Sequence, residues 1–431
     1  MTMQTGRRVV VTGMGTLNLL GSTLDEFYQN LLKGRSGIKR WSSLDVANIE
    51  SQIGGDMGDF DFKAALVALK GRIPEAKVIR LTKMFRSCTF ANKTAIMSSL
   101  YAMLDAGLTQ ADIDPHRTSV IVAGHDLNHN YILGNTLRFY QDKNTIDTLC
   151  GVEALDSNVA ATLSEVLGTR GPLYLVGGAC ASGNLAMRDG YRDIVSGEVD
   201  RAFVAGPAFD ITSGDIHAMC YLGAVVTAAE FQHRPEIASR PFDTRRCGFV
   251  PSHGSGMIVL EDLESAKRRG ATIYGELLGV RASCDGSRLP SPSAENQSRL
   301  IGDLLKQTGT QPDEVDYVNC HATSTKIGDV EEIQAIKLAF GDHAKKMFLN
   351  APKSMLGHLT WSAAIVETIA GLLQMKHGVL HPSTNIDELD PSIDLDVCAN
   401  TAREHKINCF LKNSFGFGGI NCCSLFKRYE H

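Results

Sequence analysis

The sequence predicts an α/β body made of two copies of one unit. Short apolar runs that read as strands alternate with segments of helical periodicity, once up to about residue 262 and again from 263 onward. The second series follows the same plan as the first although the two share little visible sequence, which favours one duplicated body, 1–262 and 263–431, over two units on a linker. Hydrophobic residues make up 43% of the 431 and charged residues 21%, enough to fill a large core.

The first series opens with a strand at Arg7–Thr12 that runs into Gly13-Met14-Gly15. A dinucleotide fingerprint would need glycine at position 18, where Asn18 stands, so a nucleotide site is a poor match. Leu24–Lys33 reads as a helix, and 41–80 as irregular surface. Phe90, Ile96, Met97, Leu100 and Leu104 recur at helical spacing and predict one helix over 82–106. Lys77, Arg80, Lys83 and Arg86 gather at its start, as a solvated face or a docking patch. Ser119–Ala123 is a strand leading to Gly124-His125-Asp126-Leu127-Asn128-His129. His125 and His129 stand four apart but lack the glutamate of a zinc helix and a third ligand, so a polar loop lining a cavity is the better reading and no metal is expected.

After a helix at Asn158–Leu167 comes a run read as a buried strand, Leu173–Val176. It is followed by Gly177-Gly178-Ala179-Cys180-Ala181-Ser182-Gly183 and a helix over Asn184–Val195. Strand, sharp turn and helix resemble a nucleophile elbow, with the thiol facing the N–H groups of the helix start. A thiol there is expected to ionise more readily and to attack a thioester carbonyl; the alternative is a buried structural cysteine. Arg201–Gly206 is a strand, Ser239-Arg240-Pro241-Phe242-Asp243 a turn, and Met257–Glu261 the closing strand.

A helix at Leu263–Arg269 bridges to the second series. Its strands are expected at 272–282, 315–320, 347–350, 395–398, 408–412 and 421–427, its helices at 294–308, 329–340 and 363–375. Ligands of open α/β sheets collect beyond the carboxyl ends of the strands, and Cys180, His321, Lys353 and His358 all stand just beyond such ends. A lone histidine is usually structural; two histidines and a lysine in matching positions are not easily so.

The net charge of −5 gives no reason to expect nucleic acid as a partner. Eleven cysteines without a Cys-x-x-Cys pair or a secretory pattern point to a reducing, cytoplasmic compartment, and no apolar stretch is long enough to span a bilayer.

Four motifs in this order carry a resemblance over nearly the whole chain. They are Ala179-Cys180-Ala181-Ser182-Gly183, His321-Ala322-Thr323-Ser324-Thr325 with Gly328-Asp329, Lys353-Ser354-Met355 with Gly357-His358, and Asn413 to Asn421. The chain resembles the elongating β-ketoacyl-[acyl-carrier-protein] synthases of the thiolase superfamily. The resemblance implies a five-layer αβαβα fold and a dimer, with an identical or a related subunit, in which the strand before the elbow lies at the interface. It implies no cofactor of the chain's own, because phosphopantetheine arrives on the acyl carrier protein. Cys180 would carry the acyl group, and the N–H groups of Cys180 and Phe417 would form an oxyanion hole. His321 and His358 would assist decarboxylation of a malonyl extender. Lys353 would pair with Glu332, with Asp329 in the same support, and Thr323 and Thr325 would bind the pantetheine amides. Phe417 would gate the acyl pocket, Leu127 would line it, and Lys83 with Arg86 would dock the carrier.

Ala322, Ile420, Trp361, Ala364-Ile365 and the His125–His129 loop depart from the family pattern. They leave the catalytic set intact and suggest a specialised polyketide or polyene pathway instead of ordinary fatty-acid elongation. Three other functions share the fold: a chain-length partner subunit, which would lack the nucleophilic cysteine; a thiolase, which would carry a second cysteine in the last loop; and an acyltransferase or decarboxylase using the same residues.

Overall fold

The computed structural model describes residues 6–430. Among them, ten strands form one continuous ladder. In chain order these are β1 (Val9–Asn18), β2 (Thr118–Ala123), β3 (Leu173–Val176), β4 (Arg201–Gly206), β5 (Gly254–Asp262), β6 (Gly275–Cys284), β7 (Tyr317–Asn319), β8 (Phe348–Asn350), β9 (Cys409–Gly416) and β10 (Ile420–Lys427). Their order across the ladder is β8-β7-β9-β10-β6-β1-β5-β4-β2-β3. Read outward from the centre, the second five repeat the order of the first five, each shifted by five. The halves meet where β1 and β6 pair antiparallel over Val9–Val11 and Gly275–Leu277.

Helices fill three layers around the two five-stranded halves. Helix α1 (Phe90–Asp105) packs on β1, β5 and β4, and α2 (Ser157–Leu167) packs on β2, β3 and α1. Helix α3 (Ser182–Ser196) touches β2 and β4 on one side and β6 and β10 on the other. Helix α4 (Ala294–Thr308) covers β6 and β10 and packs on α5 (Gly328–Phe340). Helix α6 (Ala363–His377) likewise bridges β5 and β9 and packs on α3. Of this central pair, α6 is buried throughout over 363–375, whereas α3 buries Ser182–Met187 and leaves Arg192 exposed farther along. The result is the expected αβαβα layering.

Several local expectations fail for identifiable reasons. The strand expected over Arg7–Thr12 runs on to Asn18, so Gly13 and Gly15 lie inside β1; a Cβ on Gly15 would stand 2.2 Å from Ser98 O of α1, so these glycines let the helix sit against the strand. The helix expected over 82–106 is two, Glu75–Met84 and α1, because Thr89 caps α1 by accepting the Asn92 N–H at 3.2 Å. The stretch 41–80 accordingly holds helical turns at Phe62–Val67 and the start of Glu75–Met84. Residues 395–398 do not form a regular strand; they lie along β8 through the Leu349 N–H to Asp396 O bond at 2.8 Å. Finally, β3 is not buried: it is the outer strand of its half, and Leu173 is 38% exposed.

Candidate active site

The elbow is held by its own backbone. Ala179 adopts φ 47°, a left-handed conformation costly for a residue with a Cβ, and Ala179–Ala181 makes one tight helical turn before α3. Ser182 Oγ accepts from the Gly178 N–H at 2.9 Å and donates to Ala179 O at 2.7 Å, which closes the turn. Asn184, one turn into α3, donates from Nδ2 to Cys422 O at 2.9 Å and so ties the elbow to the β9–β10 hairpin. Gly416 completes the junction, since a Cβ there would lie 2.8 Å from Gly178 O.

The second half supplies its groups from three strand ends. His321 follows β7, and its N–H donates to Glu332 Oε1 at 2.8 Å while the Ala322 N–H donates to Oε2 at 2.7 Å. Lys353 and His358 follow β8, and Phe417 follows β9. His358 is fixed by its N–H donating to Val250 O at 2.7 Å.

These paths converge. His358 Nε2 lies 3.0 Å from Cys180 Sγ. The His321 and His358 rings stand edge to face with centroids 5.7 Å apart. Phe249 packs on His358 at 5.2 Å and faces Phe417 at 6.3 Å; Phe415 packs on His321 at 5.9 Å. Each imidazole is thus walled by a phenyl ring that limits water.

The tautomer of His358 follows from its neighbours. The Thr360 N–H donates to Nδ1 at 3.0 Å, so in the neutral ring the proton sits on Nε2 and points at the sulfur. Burial, then the positive charges of Lys353 and Lys412, push His358 well below the ordinary imidazole range, and burial with Lys353 first among its charged neighbours does the same to His321. His321 Nδ1 is buried without a hydrogen-bond partner, which leaves the ring unused bonding capacity.

The thiol runs against the sequence expectation. Burial pushes Cys180 up to about 11, outweighing the downward pull of Lys353 and of the Phe417 and Cys180 N–H groups. The cost of placing a thiolate in this interior exceeds what the helix start and these donors return.

Lys353 does not pair with Glu332. Its Nζ lies 2.5 Å from Glu367 Oε1, and Lys412 Nζ lies 2.8 Å from Glu367 Oε2, with all three residues fully buried. Glu332 is instead saturated by the His321 and Ala322 N–H groups and by Asn413 Nδ2 at 2.9 Å. Sequence reasoning missed Glu367 and Lys412. Their signal was a lone charge within an apolar run, Glu367 in 363–375 and Lys412 in Cys409–Gly416.

Cys180, His321 and His358 present ligand atoms within 4.8 Å of one another, close enough to share an ion. The donor set opposes it. The Nε2 of His358 carries a proton while Nδ1 accepts one, and two buried ammonium groups stand close by.

The remaining predicted residues divide into near and far. The Thr323 and Thr325 hydroxyls touch at 3.1 Å on the loop after His321. Asp329 accepts the Ser324 N–H at 3.1 Å and the Phe242 N–H at 3.0 Å, joining that loop to the 239–246 turn; burial pushes its carboxyl up to about 7. Phe417 sits at the hairpin tip, 39% exposed. Trp361 packs on His125 with centroids 4.3 Å apart and the rings tilted by 33°, and Leu127 is fully buried beside Gly124, which both Leu127 and Trp361 approach. His125 and His129 do not share a helix; each pairs with an aspartate, Asp126 at 2.8 Å and Asp215 at 3.1 Å. Lys83 is exposed in the last turn of its helix and Arg86 is exposed one step on, its N–H donating to Lys83 O at 3.2 Å, while Arg80 is paired with Glu165.

Family models read the same way. Residues 6–266 match the beta-ketoacyl synthase N-terminal domain, and 274–387 match the beta-ketoacyl synthase C-terminal domain. The chain belongs to the β-ketoacyl synthase family. It is 34% identical to the 3-oxoacyl-[acyl-carrier-protein] synthase 2 of Synechocystis sp., over 98% of this chain and 99% of that protein. It is 32% identical to the polyketide biosynthesis malonyl-ACP decarboxylase PksF of Bacillus subtilis, over 98% and 97%. It superposes on the ishigamide ketosynthase/chain length factor with a TM-score of 0.85 at 30% identity, over 98% of this chain and 100% of that one.

Proposed function

We propose that this family member works as a decarboxylative condensing enzyme in a fatty-acid or polyketide pathway. The observation that carries the reading is the 3.0 Å contact between His358 Nε2 and Cys180 Sγ, with the His321 ring beside it. The Cys180 sulfur attacks a carrier-bound acyl thioester, the oxyanion meets the Cys180 and Phe417 N–H groups, and the phosphopantetheine thiol leaves. A malonyl thioester then binds, its carbonyl oxygen accepting from the two neutral imidazoles. Carbon dioxide leaves, and the enolate so formed attacks the Cys180 thioester. The carbon–sulfur bond breaks, giving a 3-oxoacyl carrier two carbons longer and restoring the thiol. Thr323 and Thr325 hold the pantetheine arm, with Asp329 and Glu332 shaping that loop. The protein is built of halves 1–262 and 263–431, the first carrying the nucleophile and the second the histidines. No helix of the described residues is long and apolar enough to cross a membrane.

The partner is an acyl carrier protein, whose acidic surface meets Lys83 and Arg86. The acyl chain is a planar, unsaturated one, because the Trp361 and His125 rings pack 4.3 Å apart at a tilt of 33°, with His125 beside Gly177 of the elbow. A second reading, decarboxylation without condensation, is favoured by the likeness to PksF.

Intact-mass spectrometry with a panel of saturated and polyene acyl carriers tests these assignments. Wild type should gain the acyl mass, with polyene chains preferred. Cys180→Ala should gain nothing, Trp361→Gly should lose the preference, and Lys83→Glu should load more slowly at low salt. Adding malonyl carrier should release carbon dioxide and a lengthened product. Carbon dioxide without that product makes the protein a decarboxylase, and an adduct on Cys180→Ala refutes the nucleophile.

A further inference from the structure

The site holds one buried cation more than its family motifs account for. Lys412 is completely buried on β9, with Nζ 2.8 Å from Glu367 Oε2, and it also donates to Asn413 O. Lys353 reaches the other oxygen of the same carboxylate. A buried charge is costly unless paired, and here two ammonium groups share one partner. The other buried carboxylates of the site are taken: Glu332 by two backbone N–H groups and Asn413, Asp329 by the Ser324 and Phe242 N–H groups. The cluster is therefore arranged to keep positive charge beside the imidazoles without exposing it to substrate.

We propose that Lys412 is a positioning residue: it clamps Glu367 against Lys353 and biases His321 and His358 toward their neutral, hydrogen-bond-donating forms. The groups around the two imidazoles are Cys180 from the elbow, Lys353 after β8 and Lys412 on β9, with Glu332 on α5 accepting the His321 backbone N–H, Glu367 on α6 between the two lysines, and Asp329 nearer the start of α5. Burial alone lowers both histidines, and the two lysines lower them further, whereas Cys180 stays neutral. A protonated imidazole pair beside two ammonium groups would add like charges in a low-dielectric interior. Removing Lys412 relieves part of that repulsion, so the imidazoles take up protons at higher pH. The neutral forms do the work proposed above, hence the acidic limb of decarboxylation moves upward. The inference rests on that functional reading only for its kinetic consequence, not for the protonation states.

The test compares wild type, Lys412→Met and the charge-balanced Lys412→Met/Glu367→Gln, the double variant having lost one cation and one anion. The first measurement is carbon dioxide release from malonyl carrier against pH. Lys412→Met should show its acidic limb displaced upward by about half a unit or more, and the double variant should bring the limb back while turning over more slowly, because Lys353 has lost its anchor. A packing defect would lower the rate of both variants at every pH without moving the limb. The second measurement, NMR titration of labelled imidazoles assigned by His321→Gln and His358→Gln, reads the proton directly. Both rings should titrate at higher pH in Lys412→Met than in wild type. Superimposed imidazole titrations overturn the proposal even if the enzyme condenses normally. Shifted titrations in a protein that releases no carbon dioxide sustain it and refute the condensing function instead.

Discussion

A thiol that burial keeps protonated needs stabilising at the moment it attacks, and the group within reach is a donor, not a base. His358 holds its proton on Nε2 because the Thr360 N–H occupies Nδ1. It can therefore share that proton with a developing thiolate or an enolate, but it cannot first remove one from Cys180 in this tautomer. With Cys180 raised to about 11, the thiolate fraction grows with pH throughout the neutral range. The rate of Cys180 alkylation by iodoacetamide should climb by about tenfold per unit from pH 7 to 9, and a plateau below pH 9 would refute the raised thiol. The residues that act directly were legible in the sequence because their types and order are distinctive: a cysteine between small residues, then two histidines and a lysine after successive strands. Their support was not. Glu367 lies fourteen positions beyond Lys353 and Lys412 forty-five beyond Glu367, so only the crossing of α6 with β9 brings the three together.

At the scale of elements, the site depends on how closely α3 and α6 cross. Gly183 marks the crossing: a Cβ there would lie 2.9 Å from Ala364 Cβ and 3.0 Å from the Ile365 backbone nitrogen. Both helices start at a catalytic turn, α3 at the elbow and α6 just after His358, so their spacing sets the distance between sulfur and imidazole. Gly183→Val should force the helices apart, costing about 1–3 kcal/mol from overpacking and lowering the melting temperature, with acyl loading reduced in step. An unchanged melting temperature would mean that the crossing has slack. The alternation of strands and helices was readable from periodicity, since buried strands and amphipathic helices differ in repeat. Boundaries were not readable where a side chain decides them. Thr89 starts α1 by capping, and the apolar pattern runs straight through the resulting break, which made two helices look like one.

The molecule as a whole is symmetric in topology but not at its edges. The outer strand of the second half, β8, is covered by residues 395–398 through the Leu349 N–H to Asp396 O bond. Its counterpart β3 has no strand on its outer side among the described residues, and its apolar side chains are partly exposed. An open apolar edge invites pairing with another chain, and proteins that keep one usually cover it. We expect a second copy of this chain to do so, edge to edge across a two-fold axis, which would bury Leu173 and place the two elbows near a shared interface. Sedimentation should then give a species of twice 46.7 kDa. Leu173→Asp should shift it toward the monomer, because a carboxylate would be buried unpaired on both sides of the axis. A wild-type protein that sediments as a single chain would sink the second-copy reading and leave a related but non-identical subunit as the partner for β3.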